Sequence, residues 1–245
     1  MKVAVILPAA GLGTRMGRGS AEKTGTSRKQ FMLLEGSPIL VHTVRKFLAL
    51  EPVTEIVVAL RREDMEWVER VLAQAFPGKR VRVVEGGNSR QQSVENAVSA
   101  LDPGSALVAV HDAVRPFIDQ ETILKVFQEA DETGAAIVGV PVVDTVKQVI
   151  RGTGKVRIRG TLQRDKLVLA QTPQVFRYDL LLRAFEAARQ DGFIGTDEAS
   201  LVERLDDVEV SVVLGSDRNI KITKPGDMDL AHLFFREDLA KDAKS

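Results

Sequence analysis

Short apolar runs alternate with amphipathic stretches along the first part of the chain. Val3-Ala4-Val5-Ile6-Leu7 is almost continuously apolar, as a strand buried on both faces should be. Ile56-Val57-Val58-Ala59-Leu60 repeats that signature, Val81 to Val84 does so more weakly, and Ala106 to Val110 repeats it again. Between these runs, Met65, Val68, Val71, Leu72 and Phe76 fall on one face at the 3.6-residue helical period, as do Ile123, Leu124, Val126, Phe127 and Ala130. Strand–helix alternation with short links implies right-handed crossovers and a parallel sheet covered by helices on both faces.

After Pro141 the rhythm changes. Thr145 to Ile150 and Lys155 to Arg159 mix β-branched and charged residues on either side of Arg151-Gly152-Thr153-Gly154, a turn-forming stretch. Neither segment is apolar enough for the middle of a sheet, so we expect a hairpin arm projecting from the body over about residues 142–162. It is either a solvated edge hairpin or, the reading preferred here, an arm whose Val146, Val149, Val156 and Ile158 are covered by a partner subunit. Beyond it the pattern predicts a strand near Leu167 to Ala170 and helices near Tyr178–Arg189 and Thr196–Leu205. Strands over Glu209–Leu214 and Ile220–Thr223 follow, then a last helix just after Pro225, a residue suited to a first helical turn. No repeat or linker intervenes, so residues 1–245 are read as one domain carrying the arm.

Composition narrows the function. The 34 basic and 34 acidic residues cancel, so no global field draws nucleic acid or an anionic membrane, and any anion must be bound locally. No apolar run approaches the ~18 residues of a membrane span. The absence of cysteine excludes disulfides, thiolate zinc sites and a cysteine nucleophile, and fits a reducing, cytoplasmic setting. Lys2 and the run Val3 to Ala10 imitate a signal peptide, but Pro8, Arg15 and Arg18 break the pattern, and a buried first strand explains it better.

Three stretches could carry chemistry, each at the end of a predicted strand. The first is Pro8-Ala9-Ala10-Gly11-Leu12-Gly13-Thr14-Arg15-Met16-Gly17, with Arg28-Lys29-Gln30 downstream. A glycine-rich turn at the C-terminal end of the first parallel strand is where open α/β sheets bind ligands. Its spacing fails the dinucleotide fingerprint and lacks the Gly-Lys-Ser/Thr ending of a P-loop. Arg15 and Lys29 flank it as two fixed cations, which leaves a phosphate site and a surface loop with solvated charges both open.

The second stretch is His111-Asp112-Ala113-Val114-Arg115-Pro116. A carboxylate at this strand end is placed to hold a divalent cation; alternatively, Asp112 caps a turn and Arg115 pairs with it. A lone histidine such as His111 is more often a core residue than a general base. The third is Glu85-Gly86-Gly87-Asn88-Ser89-Arg90-Gln91-Gln92-Ser93, where a flat base could lie against the glycines. Ser89 and Gln92 read as a capping box, while Ser93 is free to face a ligand. Arg164, Thr172-Pro173-Gln174, Thr196-Asp197-Glu198 and Asn219-Ile220-Lys221 are weaker candidates, and a cation such as Lys221 is usually a solvated charge.

Together, in order, these stretches resemble the 2-C-methyl-D-erythritol 4-phosphate cytidylyltransferases over nearly the whole chain. The series Pro-Ala-Ala-Gly-x-Gly-x-Arg-Met, Lys-Gln, Gly-Gly-x-x-Arg-x-x-Ser-Val, His-Asp-Ala-x-Arg-Pro, Thr-Pro-Gln, Thr-Asp-Glu-Ala and Asn-Ile-Lys is far more specific than any one member. The resemblance implies a Rossmann-like, mostly parallel α/β sheet with helices on both faces, a homodimer joined by the β-arm, and Mg²⁺ dependence. It implies reaction of CTP with a polyol phosphate, with no nucleic acid or membrane partner.

Carried over by position, Arg15 and Lys29 match the pair that stabilises the transition state, and Ala9, Ala10, Gly11, Leu12 and Gly13 match the loop around the nucleotide. Gly87, Asn88 and Ser93 fall where cytosine is recognised, with Ala113 and Lys221 also on the nucleotide. Asp112 matches the metal carboxylate. Asp112, Arg115, Thr145, Arg164, Thr172 and Thr196 match the substrate side, Arg164 and Thr172 reaching the other subunit's site.

Two departures stand out. The stretch Met16 to Lys29 is longer than usual, a loop expected to close over the nucleotide. Arg28 replaces the usual proline, which makes Lys23 a competitor for the role of Lys29. A phosphate monoester with a second pKa near ~6 is already mostly dianionic at neutral pH, so no general base is needed. The nearest rival acceptor is ribitol 5-phosphate. A nicotinamide dehydrogenase lacks its fingerprint here, and a nucleotide-sensing module has no need of both a metal carboxylate and a second phosphate site.

Overall fold

The computed structural model describes residues 1–11, 28–102 and 104–242. The chain runs β1 (Val3–Pro8), a 3-10 turn (Lys29–Phe31), a ribbon of β2 (Leu33–Leu34) and β3 (Ser37–Pro38), then α1 (Ile39–Leu48). It continues with β4 (Val53–Leu60), α2 (Arg62–Ala75), β5 (Val81–Glu85), α3 (Arg90–Ser99) and β6 (Leu107–Val110). Next come α4 (Gln120–Thr133), β7 (Ala135–Pro141), the hairpin β8 (Lys147–Gly152) and β9 (Lys155–Thr161), and β10 (Val168–Arg177). Last are α5 (Tyr178–Asp191), α6 (Ala199–Val202), β11 (Ser211–Leu214) and α7 (Pro225–Asp242).

Seven strands form one sheet in the order β11-β7-β10-β6-β1-β4-β5. All pair in parallel except β10, which runs antiparallel to both β6 and β7. Alternation along the buried strands sends side chains to two separate cores. Val3, Val5 and Leu7 pack with α1, α2 and α4 on one face, and Ala4 and Ile6 pack with α3, α5 and α6 on the other. The expected two-sided sheet is therefore present, and the segment that imitated a signal peptide holds its strand β1, buried from Val3 to Leu7. Helix ends follow local chemistry. Ser89 and Asp119 cap α3 and α4 through their side chains, and α4 stops at Gly134, whose φ of 95° suits glycine. Among the described residues no helix is long and apolar enough to cross a membrane.

The hairpin β8–β9 forms a separate two-stranded sheet, closed through Thr153 and Gly154 as the turn signal implied. Three expectations need correction. Ile220–Thr223 is not a strand: Ile222 N–H donates to Val114 O at 3.0 Å, and that partner lies in a loop. The helix expected from Thr196 starts only at Ala199 and gives way to a 3-10 turn at Glu203–Leu205, because Asp197 turns back to cap Ser200 N–H. The strand near Leu167 begins at Val168 and runs on through Thr172-Pro173-Gln174, with a register shift between Ala170 and Gln174.

Candidate active site

The chain passes from β1 to β4 on one side of the sheet, while β6 flanks β1 on the other. That reversal opens a crevice at the C-terminal ends of β1 and β6, where doubly wound sheets hold ligands. A cavity of about 400 Å³ lies there, walled by Pro8 to Gly11, Lys29 and Gln30, Arg61, Gly87 to Arg90 with Ser93, Asp112 to Val114, and Lys221. Residues far apart in sequence and predicted to act together thus meet in one place. Leu12, Gly13, Arg15 and Lys23 lie outside the described residues.

Lys29 sits on the 3-10 turn, which three neighbouring residues anchor. Gln30 Nε2 donates to Ala9 O at 2.6 Å and to Gly11 O at 3.3 Å. Phe31 packs edge-on against Trp67 of α2, and Arg28 pairs with Glu63 and Asp64 of the same helix. Arg61 Nε donates to Ala10 O at 3.1 Å, so Ala9, Ala10 and Gly11 are all tied down through their carbonyls.

The opposite wall demands glycine. A Cβ on Gly87 would fall 2.2 Å from Gln92 Cγ, and one on Gly86 would fall 2.8 Å from Ala10 Cβ. The capping box is modified: Ser89 Oγ accepts from Gln92 N–H, but Gln92 Oε1 reaches Asn88 N–H instead of the cap's own N–H. Ser93 lines the cavity, yet its hydroxyl donates to Ser89 O at 2.7 Å and accepts from Gly87 N–H at 3.1 Å, so it also shapes the loop.

Asp112 is 6% exposed and, among the described residues, the only acid lining the cavity. Its Oδ2 accepts from Lys221 Nζ at 2.9 Å and Arg115 Nε at 3.0 Å, while Arg90 Nε stands 3.9 Å from Oδ1. Burial pushes this carboxyl up, but Lys221, Arg90 and Arg115 together hold it well below the usual carboxylate range. Lys221 is thus a paired cation at the site. Asn219, buried, donates to Gln171 Oε1 and Thr172 O, and this fixes the loop that delivers Lys221.

Behind Asp112, a chain of polar groups encloses His111. The Arg115 carbonyl can only accept, so His111 donates to it from Nε2 at 3.0 Å, and its Nδ1 accepts from the Thr172 hydroxyl at 3.1 Å. Thr172 Oγ1 in turn accepts Asp112 N–H at 3.0 Å. His111 is fully buried, and burial lowers its pKa to about 4, so it is neutral at working pH. The unfolded chain takes up a proton near pH 6.5 and the folded chain only near 4, so stability is expected to rise with pH across that window. The loss on acidification is about 3 kcal/mol. Urea unfolding at pH 7 and pH 4.5 checks this; an equal loss in His111→Gln would assign the effect elsewhere.

Thr145, Arg164 and Thr196 are exposed and do not line the cavity of their own chain. Arg164 donates to Val143 O at 2.5 Å at the base of the arm. Thr172 is enclosed, its hydroxyl engaged with its own chain's Asp112 and His111. Residue-by-residue reasoning gave no role to Arg61, Arg90 or Glu198. Arg90 lines the cavity and donates from Nη1 to Glu198 Oε1 at 2.7 Å. Burial raises the Glu198 carboxyl above its ordinary range, against the pull of Arg90.

A family model described as IspD, 2-C-methyl-D-erythritol 4-phosphate cytidylyltransferase, matches residues 3–237. A relative of that name from Solibacter usitatus is 75% identical over the full length of both chains. Another from Acidobacterium capsulatum is 50% identical over 97% of this chain and 98% of its own. Among solved structures, a 4-diphosphocytidyl-2C-methyl-D-erythritol synthase from Anaerococcus prevotii superposes with a TM-score of 0.82 at 28% identity, covering 96% of each chain. A 2-C-methyl-D-erythritol 4-phosphate cytidylyltransferase from Thermus thermophilus gives 0.75 at 32% identity, over 96% of this chain and all of its own.

Proposed function

This chain belongs to the 2-C-methyl-D-erythritol 4-phosphate cytidylyltransferase family, and on that footing we propose that the cavity between β1 and β6 is where its two substrates meet. It transfers a cytidylyl group from CTP to 2-C-methyl-D-erythritol 4-phosphate, releasing pyrophosphate, in the non-mevalonate route to isoprenoids. The observation that carries the site assignment is the convergence of Lys29, Asp112, Lys221 and both glycine walls on one cavity.

An acceptor phosphate oxygen attacks the α-phosphorus of CTP in line, and the bond to the pyrophosphate oxygen breaks. Two polyanions must be gathered, and charge grows on the leaving group. Cations already in place meet that need through positioning and electrostatics. Lys29 and Arg15 act on the triphosphate, Gly87, Asn88 and Ser93 wall the base, and Lys221 and Arg115 keep Asp112 ionised. His111, neutral and enclosed, serves as scaffold.

Among the described residues no cluster of three or more acidic or histidine side chains forms a metal cage. A magnesium ion that arrives with the triphosphate needs only one or two carboxylates, and Asp112, whose Oδ1 faces Arg90 Nε at 3.9 Å, beyond hydrogen-bond range, would fit that part. An ion held there would supply positive charge to offset that of the phosphates.

The homodimer and the cytoplasmic setting belong to the same proposal. Val149, paired with Ile158, and Val156 share one face of the arm, with Val156 and Ile158 62% and 67% exposed. A second copy covering that face would bury these three apolar side chains beside Arg151. Thr145 and Arg164, at the arm's base and away from their own cavity, are then offered to the partner's acceptor site. Ile158→Asp is expected to turn a dimer into a monomer in sedimentation experiments; an unchanged mass would remove the arm from the interface. The function itself is tested by pyrophosphate release from CTP. Release should require Mg²⁺ and 2-C-methyl-D-erythritol 4-phosphate, and equal turnover with ribitol 5-phosphate would reopen the acceptor.

A further inference from the structure

Arg90 is the first residue of α3, directly after the turn that carries Gly87 and Asn88, and its side chain reaches the cavity. Its hydrogen-bonded anchor lies 108 positions away: Nη1 donates to Glu198 Oε1 at 2.7 Å. Glu198 is 1% exposed, and its other oxygen has no partner among the described residues. Burying a carboxylate with half its acceptors unused is costly, and one ion pair seldom recovers that cost. The segment around it is nonetheless held firmly. Gln174 donates to Asp197 Oδ2 at 2.8 Å and accepts from Ala199 N–H at 3.0 Å, and Asp197 Oδ1 accepts from Ser200 N–H.

The geometry at Asp112 gives this expensive carboxylate a purpose. Arg90 Nε lies 3.9 Å from Asp112 Oδ1, beyond hydrogen-bond range but close enough to close on it. Oδ2 is already saturated by Lys221 and Arg115, so Oδ1 is the oxygen left for a cation that arrives with phosphates. We propose that Glu198 is a positioning residue that holds Arg90 back from Asp112 and aims its remaining donors at the nucleotide phosphates. This rests on the reading of the cavity as the CTP site. Glu198 touches no substrate and acts only through Arg90, whose planar fork suits phosphate oxygens.

The test compares wild type, Glu198→Gln, Arg90→Ala, the double variant and Asp112→Asn. Glu198→Gln keeps the shape and removes the charge. Its Kd for CTP, measured by calorimetry in EDTA, should weaken by about 10- to 100-fold, as for other residues that orient a ligand-binding group. The Mg²⁺ concentration for half-maximal turnover should rise as Arg90 closes on Asp112. In the Arg90→Ala background both effects of Glu198→Gln should vanish, because Glu198 then has nothing to aim. A merely structural Glu198 would instead lower the melting temperature alike in both backgrounds, with CTP affinity unmoved. Wild-type affinity in Glu198→Gln, or effects that add in full to Arg90→Ala, would overturn the proposal. If Asp112→Asn leaves the Mg²⁺ titration unchanged, the site reading itself fails; a responsive Asp112→Asn with an inert Glu198→Gln defeats only the positioning role.

Discussion

Replacing Lys29 with alanine is expected to lower kcat by roughly 10²–10³, the size of losing one preorganised donor to developing charge. Lys29 lies on the turn that Arg28, Gln30 and Phe31 pin to α2 and to the first loop, so its backbone is placed before substrate arrives. A lysine carried on a backbone placed in this way needs less reorganisation when charge moves onto pyrophosphate. The effect should fall mainly on kcat, because the charge it meets exists chiefly in the transition state. Steady-state kinetics with CTP varied at saturating acceptor gives the split. Near-normal turnover would take Lys29 out of the reaction, and a pure KM effect would make it a ground-state contact.

Asp112→Asn should be at least as damaging, with turnover down about 10³ and a shifted Mg²⁺ requirement. Three cations surround the native carboxylate. An amide keeps the outline and an acceptor for Arg115 but leaves Lys221, Arg90 and Arg115 repelling one another. Breaking a buried ion pair on one side costs about 3–5 kcal/mol, so a lower melting temperature is expected as well. The sign of the metal response separates the two effects. Loss of stability alone leaves the Mg²⁺ midpoint where it was; loss of a ligand moves it upward. An unmoved midpoint in folded protein would count against Asp112 as the metal carboxylate.

Strands buried on both faces were legible because Val3 to Leu7 and Ile56 to Leu60 must supply two cores at once, which leaves no polar position. Direction was not legible. An apolar run looks the same in either sense, so nothing announced that β10 enters the sheet antiparallel between β6 and β7. Ile220–Thr223 misled for a related reason: β-branched residues satisfy a strand pattern, but a strand also needs a neighbour with free backbone groups. At the site, strand-end residues such as Asp112 could be found from their place after an apolar run. Arg90 and Glu198 could not, because neither is unusual alone and only the fold brings them within 2.7 Å. Thr172 was placed by resemblance, and the structure adds that its hydroxyl bonds Asp112 N–H.

The course of β10 has one more result. Its first residues follow closely on the hairpin, and its middle holds the backbone of the carboxylate at the cavity floor. In the proposed dimer, subunit pairing and turnover would share a single tether, and a deletion that slips its register would injure both. Selection for variants lacking only one of the two should seldom recover changes in this segment.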